Sequence, residues 1–410
     1  MSNPKVLFVE GCDFESFPAG GQLSMARSMI KFFGDSLALV GMSSGDTPVG
    51  QWVRKEIDGI PYWFLSVCRR DISAKKPIIP VRLTFYIALQ LYRKRILSLG
   101  LTHALIQAPE ALLAMSRWDL ESICYMFPGI ENPLKISRYP FARRLWRVFD
   151  GLLLSALDRV SLILASADEE AIAKFVLRSK GRLTRKRISQ LPTCVDPSLF
   201  RPVPVHEARA RLGLPANSAV FVTTGRVAQF KGWELLLDAF ALFRQKTPDS
   251  LLIFVGDGED RPLVEAGLAG RKLGSSVRIT GFQKPREVAC YLNAADVFLV
   301  GSFVEGWSVS MVEALACGKP IVSTNVSGAQ EMIIPGKNGF VVSTRNPVEF
   351  AEAIESALNL SDAQRLSTEI ADRFSLTKVG GQIAHLWPPL CPTSLQAAGT
   401  RRDHATSPAS

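Results

Sequence analysis

Three stretches of this sequence carry residue types that could handle a phosphorylated, hydroxyl-rich ligand. In GRVAQFKGW, Arg226 and Lys231 stand five apart just after the β-branched run AVFVTTG. Arginine offers a planar fork and lysine a point charge, and the two together suit a diphosphate. Each charged hydrogen bond contributes about 1.5–3 kcal/mol. The same cations also read as ordinary solvent-facing residues. In FVEGWSVSMVEALACGKP, Glu305 and Glu313 have seven residues between them, and Gly306 follows the first directly. Carboxylates there can accept hydrogen bonds from sugar or ribose hydroxyls. A helix N-terminus at Gly306 to Val309 would turn backbone N–H groups toward an anionic or hydroxyl-rich ligand. An amphipathic helix with two surface glutamates stays open as the alternative. In FPAGGQ, Gly20 and Gly21 precede a helical pattern and could let backbone approach a phosphate, or could form a structural turn. The spacing is not GxGxxG, so no dinucleotide fingerprint is present.

The elements that must position these residues alternate along the chain. KVLFVEG reads as a strand, LSMARSMIKFF as a helix and SLALVGM as a strand, with further strands at Ile60 to Val67, Ala104 to Gln107, Ser122 to Met126 and SLILASA. A helix is expected near Leu83 to Leu97. Such βα alternation predicts a parallel sheet with helices on both faces. LPTCVDPSLFRPVPV, with Pro192, Pro197, Pro202 and Pro204, reads as an interdomain linker. The alternation then restarts with AVFVTTG, SLLIFVG, VRITG, DVFLVGS, PIVST and GFVV, a second α/β domain. Ligands of open parallel sheets bind beyond the carboxyl ends of the strands, and the three stretches fall there. The segment from Pro388 to Ser410 is rich in Pro, Ser, Thr and Ala and is expected to be disordered.

At 410 residues the chain exceeds what one core organises, so two domains are expected. An apolar share of 47% with 21% charged residues excludes a mainly disordered chain. No apolar run approaches the ~20 residues of a membrane span, and MSNPKVLFVEG shows no secretory h-region. Seven cysteines without a CxxC pair fit buried or idle thiols in a reducing compartment. The expected location is the cytoplasm.

The net charge of +10 is uneven: residues 1–200 hold 27 basic and 18 acidic side chains, and the remainder 21 and 20. The excess gathers at Arg69 to Arg95, Lys135 to Arg147 and Arg178 to Arg187. Such patches attract polyanions or an anionic membrane leaflet. Nucleic acid is disfavoured because no helix-turn-helix, zinc-finger or RRM signature occurs. In FARRLWRVFDGLLLSAL, helical spacing puts Phe141, Leu145, Val148, Phe149, Leu152 and Ala156 on one face and Arg143, Arg144 and Arg147 on the other. This helix either packs that apolar face into the core or lies at a membrane interface.

Together these segments resemble the retaining glycosyltransferases of family 4, which have the GT-B fold. The marks are GRVAQFKG, VGDGED, ITGFQKPREVACYLNAADVFLVGS, EGWSVSMVEALACGKPIVSTNVSGAQE and GKNGFVV, with LPTCVDPSLFRP at the interdomain crossing and RFSLTKVGGQIAHLW as the closing helix. The resemblance covers Lys5 to about Trp387. It implies two Rossmann-like domains facing a central cleft: residues 1–195 on the acceptor side and 196–374 for the nucleotide-sugar donor. Residues 375–387 would return to the N-terminal domain, and 388–410 form the tail. It implies that Arg226 and Lys231 hold the donor diphosphate, approached by Gly21 from the N-terminal loop. Glu313 would bind the ribose hydroxyls and Glu305 the donor sugar. Backbone amides of Gly306, Trp307, Ser308 and Val309 would meet the sugar or diphosphate, and Phe282 and Gln283 would flank the base. Many members carry a histidine after the fifth N-terminal strand. Here Met126 or Phe127 stands in that stretch, and His103, on an earlier strand, reads as structural.

The implied reaction moves a sugar, expected to be a hexose, from a nucleotide diphosphate to an acceptor hydroxyl with retention. It needs no metal or other cofactor, in keeping with a sequence that has no Asp-x-Asp or His-rich site. A polysaccharide, lipopolysaccharide or glycolipid acceptor and a peripheral position on the inner face of the cytoplasmic membrane fit the basic first half. The alternatives are a scaffold of this type that binds without catalysis, and a sugar-nucleotide epimerase on the same architecture.

Overall fold

The computed structural model describes residues 4–15, 17, 20–70, 79–127, 132, 134 and 139–390. The chain divides into two compact units, one formed by residues 1–191 and 379–410 and the other by residues 192–378.

In the first unit the elements run β1 (Val6–Val9), α1 (Gly21–Phe33), β2 (Leu37–Ser43), β3 (Trp52–Ile57), β4 (Ile60–Arg69), α2 (Val81–Leu91), α3 (Arg93–Ile96), β5 (His103–Ile106), α4 (Pro109–Met115), β6 (Ser122–Phe127), α5 (Pro140–Arg144), α6 (Trp146–Leu157), β7 (Leu162–Ala165), α7 (Glu169–Arg178) and β8 (Ile188–Gln190). Its described strands form one sheet in the order β3-β4-β2-β1-β5-β6-β7-β8. All pairs are parallel except β3 with β4, a hairpin of which the sequence reading contained the Asp58-Gly59 turn and the strand after it, but not β3. Its cause is local: Asp58 and Gly59 both take left-handed backbone, φ 51° and 80°, the two-residue turn that reverses a strand.

The second unit runs α8 (Val205–Leu212), β9 (Ala219–Thr224), α9 (Trp233–Lys246), β10 (Ser250–Val255), α10 (Arg261–Gly270), β11 (Val277–Ile279), α11 (Pro285–Ala294), β12 (Val297–Val300), α12 (Val309–Ala316), β13 (Ile321–Thr324), α13 (Ala329–Met332), β14 (Gly339–Val342), α14 (Pro347–Leu358) and α15 (Ala363–Asp372). The sheet order is β11-β10-β9-β12-β13-β14, all parallel. The central strands are buried on both faces. Val220, Val222, Ile253 and Val255 enter one core, while Phe221, Leu252 and Phe254 enter the other. That two-residue alternation explains why the strands read as continuous apolar runs. Arg209 of α8 ties the layer together. It donates to Asp296 Oδ2 at 2.7 Å, and that same oxygen accepts from Val220 N at 2.7 Å.

Helix α16 (Leu376–Leu386) follows, and its residues from Val379 onward belong to the first unit. There Trp387 Nε1 donates to Ser122 Oγ at 2.7 Å and its ring meets His103 edge-on at 6.4 Å. Pro388–Leu390, expected within the tail, form a short turn because Leu390 is buried and bonds back to Trp387. The rest of the expected tail lies outside the described residues.

The stretch from Phe141 to Leu152 departs from the core-packing reading. The helix breaks at Leu145, and Ala142, Leu153, Leu154, Ala156 and Leu157 are the residues that go inward. Phe141, Leu145, Val148 and Leu152 are exposed.

Candidate active site

In the second unit the strand order reverses direction at β9. The chain runs outward through β10 to β11 on one side and through β12 to β14 on the other. The loops leaving β9 and β12 therefore part company and leave a crevice at the carboxyl end of the sheet. A recess opens there, lined by Thr223, Gly225, Arg226, Lys231, Ser302, Glu305 and Ser310 among others. Arg226 and Lys231, neighbours in one loop, thus share a concavity with Glu305, which lies 74 positions beyond Lys231.

Glycine makes this approach possible. Gly232 has φ 66°, and a Cβ there would lie 1.8 Å from the Gly301 carbonyl oxygen. Any side chain would force the two loops apart. Phe303 N donates to Phe230 O at 2.8 Å, so backbone also joins them. The result is that Lys231 Nζ donates to Glu305 Oε1 at 2.6 Å. Ser302 Oγ donates to the same oxygen, also at 2.6 Å.

Ser302 is itself held from behind. Its carbonyl accepts from Thr324 Oγ1 at 2.7 Å and from Arg345 at 3.2 Å, and the Arg345 guanidinium lies 3.5 Å from the centre of the Phe303 ring. The sequence reading did not single out Ser302, Thr324 or Arg345. Their signal was only that each closes or follows a strand, Ser302 in LVGS, Thr324 in IVST and Arg345 in VVSTRN.

Arg226 is held differently. Its Nε donates to Glu259 at 2.7 Å across a half-exposed pair, and this guanidinium holds the Glu259 carboxyl below its ordinary range. An exposed pair of this kind contributes about 0–1 kcal/mol, so an incoming phosphate can replace the carboxylate cheaply.

Helix α12 starts at Val309, with Ser308 as its cap residue, so its free amides belong to Val309, Ser310 and Met311. Gly306 and Trp307 precede the helix. The Trp307 side chain turns inward, 5.8 Å from the Phe374 ring, so only its backbone is left to face a ligand. Glu313 lies one turn into α12. Burial pushes its carboxyl up to about 8. Phe282 is exposed past the end of β11, and Gln283 Nε2 is bonded to Thr280 O at 3.1 Å. Glu313, Phe282 and Gln283 do not line the recess around Lys231.

In the first unit, Gly20 is the cap residue of α1 and Gly21 its first residue. Met126 and Phe127 are buried at the end of β6, and His103 opens β5 with Nε2 3.6 Å from Glu121. The equivalent reversal in this sheet lies between β1 and β5. Glu10, Gln107 and Glu110 gather there, each with a buried oxygen that has no hydrogen-bond partner. Burial pushes Glu10 up to about 8, the carboxyl of Glu110 adding to the effect. Among the described residues, no three His, Cys, Asp or Glu side chains are grouped to hold a metal ion.

Two parallel α/β units, the second with a cationic recess at its strand reversal, define a GT-B protein. Sucrose-phosphate synthase from Thermosynechococcus elongatus matches with TM-score 0.75 at 19% identity, covering 97% of this chain and 100% of that one. Anabaena HepE, solved with UDP and glucose, matches with TM-score 0.70 at 21% identity over 94% of this chain and 99% of that one. At these identities the likeness is one of fold. Residues 205–373 match the family described as glycosyl transferases group 1. The D-inositol 3-phosphate glycosyltransferase 2 of Catenulispora acidiphila is 29% identical over 246 residues, 56% of this chain and 56% of that protein. The chain spans about half the length of the curated relatives it matches.

Proposed function

We propose that this protein is a retaining glycosyltransferase that moves a sugar, of hexose type, from a nucleoside-diphosphate sugar to an acceptor hydroxyl. The product would enter a cell-surface polysaccharide, lipopolysaccharide or glycolipid. The observation that carries this reading is the convergence of Arg226, Lys231 and Glu305 on one recess in a chain that matches this family over residues 205–373. HepE, solved with UDP and glucose, supports a uridine donor as the first to try.

In this reading the second unit holds the donor and the first the acceptor. Arg226 and Lys231 neutralise the diphosphate as its bond to the anomeric carbon breaks. Positive charge fixed in place before the reaction stabilises that leaving group without reorganisation. The acceptor oxygen bonds to the same face of the anomeric carbon, and its proton passes to a departing phosphate oxygen. Glu305 receives hydroxyls of the donor sugar, and Glu313 those of the ribose. The amides of Gly306, Trp307, Ser308 and Val309 face the sugar or diphosphate, and Phe282 and Gln283 border the base.

A calorimetric screen of UDP-, GDP- and ADP-sugars, followed by product analysis with and without acceptor sugars, tests it. One donor is expected to bind and to be turned over with retention. Binding without turnover or hydrolysis would favour a non-catalytic carrier of the same ligand, and an epimerised free donor would replace the reading altogether.

A further inference from the structure

Two apolar stripes on the first unit face solvent. On α2 and the residue leading into it, Ile79, Leu83, Ile87 and Leu91 recur every four residues. On α5–α6 the stripe is Phe141, Leu145, Val148 and Leu152. All eight are between 46% and 76% exposed. Single exposed leucines are unremarkable, but two ordered rows are not. Both helices pack against the short, mostly buried α4, so the rows lie on one layer of the unit.

Along the rows themselves the exposed charge has one sign; the neighbouring carboxylates are Glu110 of α4, mostly buried 3.9 Å from Arg82, and Asp158 just past the end of α6. From Val81 to Ile96 there is no acidic residue, and Arg93, Lys94 and Arg95 are exposed on α3, just past the end of α2. From Tyr139 to Leu157 the sole acid is Asp150, buried against Asn132 at 3.2 Å and Arg178 at 3.4 Å. Arg143, Arg144 and Arg147 are exposed beside the second row.

We propose that this layer is a membrane-docking surface, its two rows entering the headgroup boundary of an anionic bilayer while the arginines and lysine meet lipid phosphates. The proposal deepens the reading of a membrane-linked acceptor and rests on it for its purpose, not for its physics. An exposed apolar row edged by cations and free of acids is what an in-plane interfacial helix requires. A second copy of the chain fits poorly, because a two-fold contact would set arginine against arginine with no exposed carboxylate inside either row to answer.

The test is sedimentation of the full chain with vesicles of phosphatidylcholine, alone or mixed with phosphatidylglycerol. Binding is expected on the mixed vesicles at low salt, falling as salt rises. Leu145→Ser with Leu152→Ser should weaken it at least tenfold, and so should Leu83→Ser with Ile87→Ser. Replacing Arg143, Arg144 and Arg147 by Gln should cost about fivefold for each arginine. Thermal melting of each variant, expected to match the parent, shows that the fold survives. Equal binding by parent and variants, or no binding to the mixed vesicles, would overturn the proposal. So would a concentration-dependent dimer that the leucine variants abolish. Donor-sugar hydrolysis or transfer to a short soluble acceptor is expected to persist in these variants. Loss of donor chemistry in a parent that still binds vesicles would count against the enzymatic reading alone.

Discussion

Lys231 Nζ and Glu305 Oε1 lie 2.6 Å apart, although 74 positions separate them in the chain. The pair joins the loop after β9 to the loop after β12. It also holds the lysine and the carboxylate in one mostly buried corner of the recess before any ligand arrives.

If that lysine and Arg226 carry the leaving diphosphate, Arg226→Ala and Lys231→Ala should each lower turnover at least tenfold, a loss of about 1.4 kcal/mol at the transition state. Lys231→Ala should cost more, because it also leaves Glu305 without its cation. Steady-state rates with the cognate donor measure both. A fully active double variant would remove the diphosphate assignment.

Ser302 touches no ligand in this reading but fixes Glu305, bonding its Oε1 at 2.6 Å. Ser302→Ala should reduce turnover several-fold while leaving the affinity for the nucleoside diphosphate alone nearly unchanged. Comparing rate with nucleotide binding separates this from general damage, which would weaken both.

If Glu313 receives the ribose hydroxyls, it makes nucleotide binding sensitive to pH. Its carboxyl, raised to about 8 by burial, is mostly protonated at neutrality. Ribose hydroxyls donate best to the ionised form, so nucleotide affinity should rise between about pH 6 and 8 and binding should release a proton. Glu313→Gln should flatten that slope. Stability runs the other way. The unfolded carboxyl ionises near its ordinary 4.5 and the folded one only near 8, so this group's contribution is intact below 4.5 and lost as pH rises through 8. Calorimetry in buffers of different ionisation enthalpy reads the proton, and melting temperature against pH reads the stability.

Arg209 is nearly buried, and its partner Asp296 also receives Val220 N. Arg209→Leu would strand that carboxylate and should destabilise the second unit by about 3 kcal/mol. Urea unfolding measures it, and a change under 1 kcal/mol would show the pair to be dispensable.

Much of this protein was legible from its residues alone. The apolar runs from AVFVTTG to GFVV could only be strands covered on both faces, and their alternation with helical stretches required parallel sheets. Loops at the carboxyl ends of those strands had to carry Arg226, Lys231 and Glu305. The hairpin at Asp58-Gly59 shows the limit of that reading: the turn and the strand after it are legible, but Arg54, Lys55 and Glu56 leave the strand before it without an apolar run. What only the tertiary structure decided were the meetings between distant segments. Lys231 faces Glu305 because Gly232 lets two loops touch, and Ser302 is steady because Thr324 and Arg345 arrive from other strands. Periodicity grouped Phe141, Leu145, Val148, Phe149, Leu152 and Ala156 on one face of a helix, but the break at Leu145 and the packing against α4 brought only Ala156 and part of Phe149 inward and left the other four exposed. Local pattern fixes how a segment folds; the partner it meets is set by contacts across the whole unit.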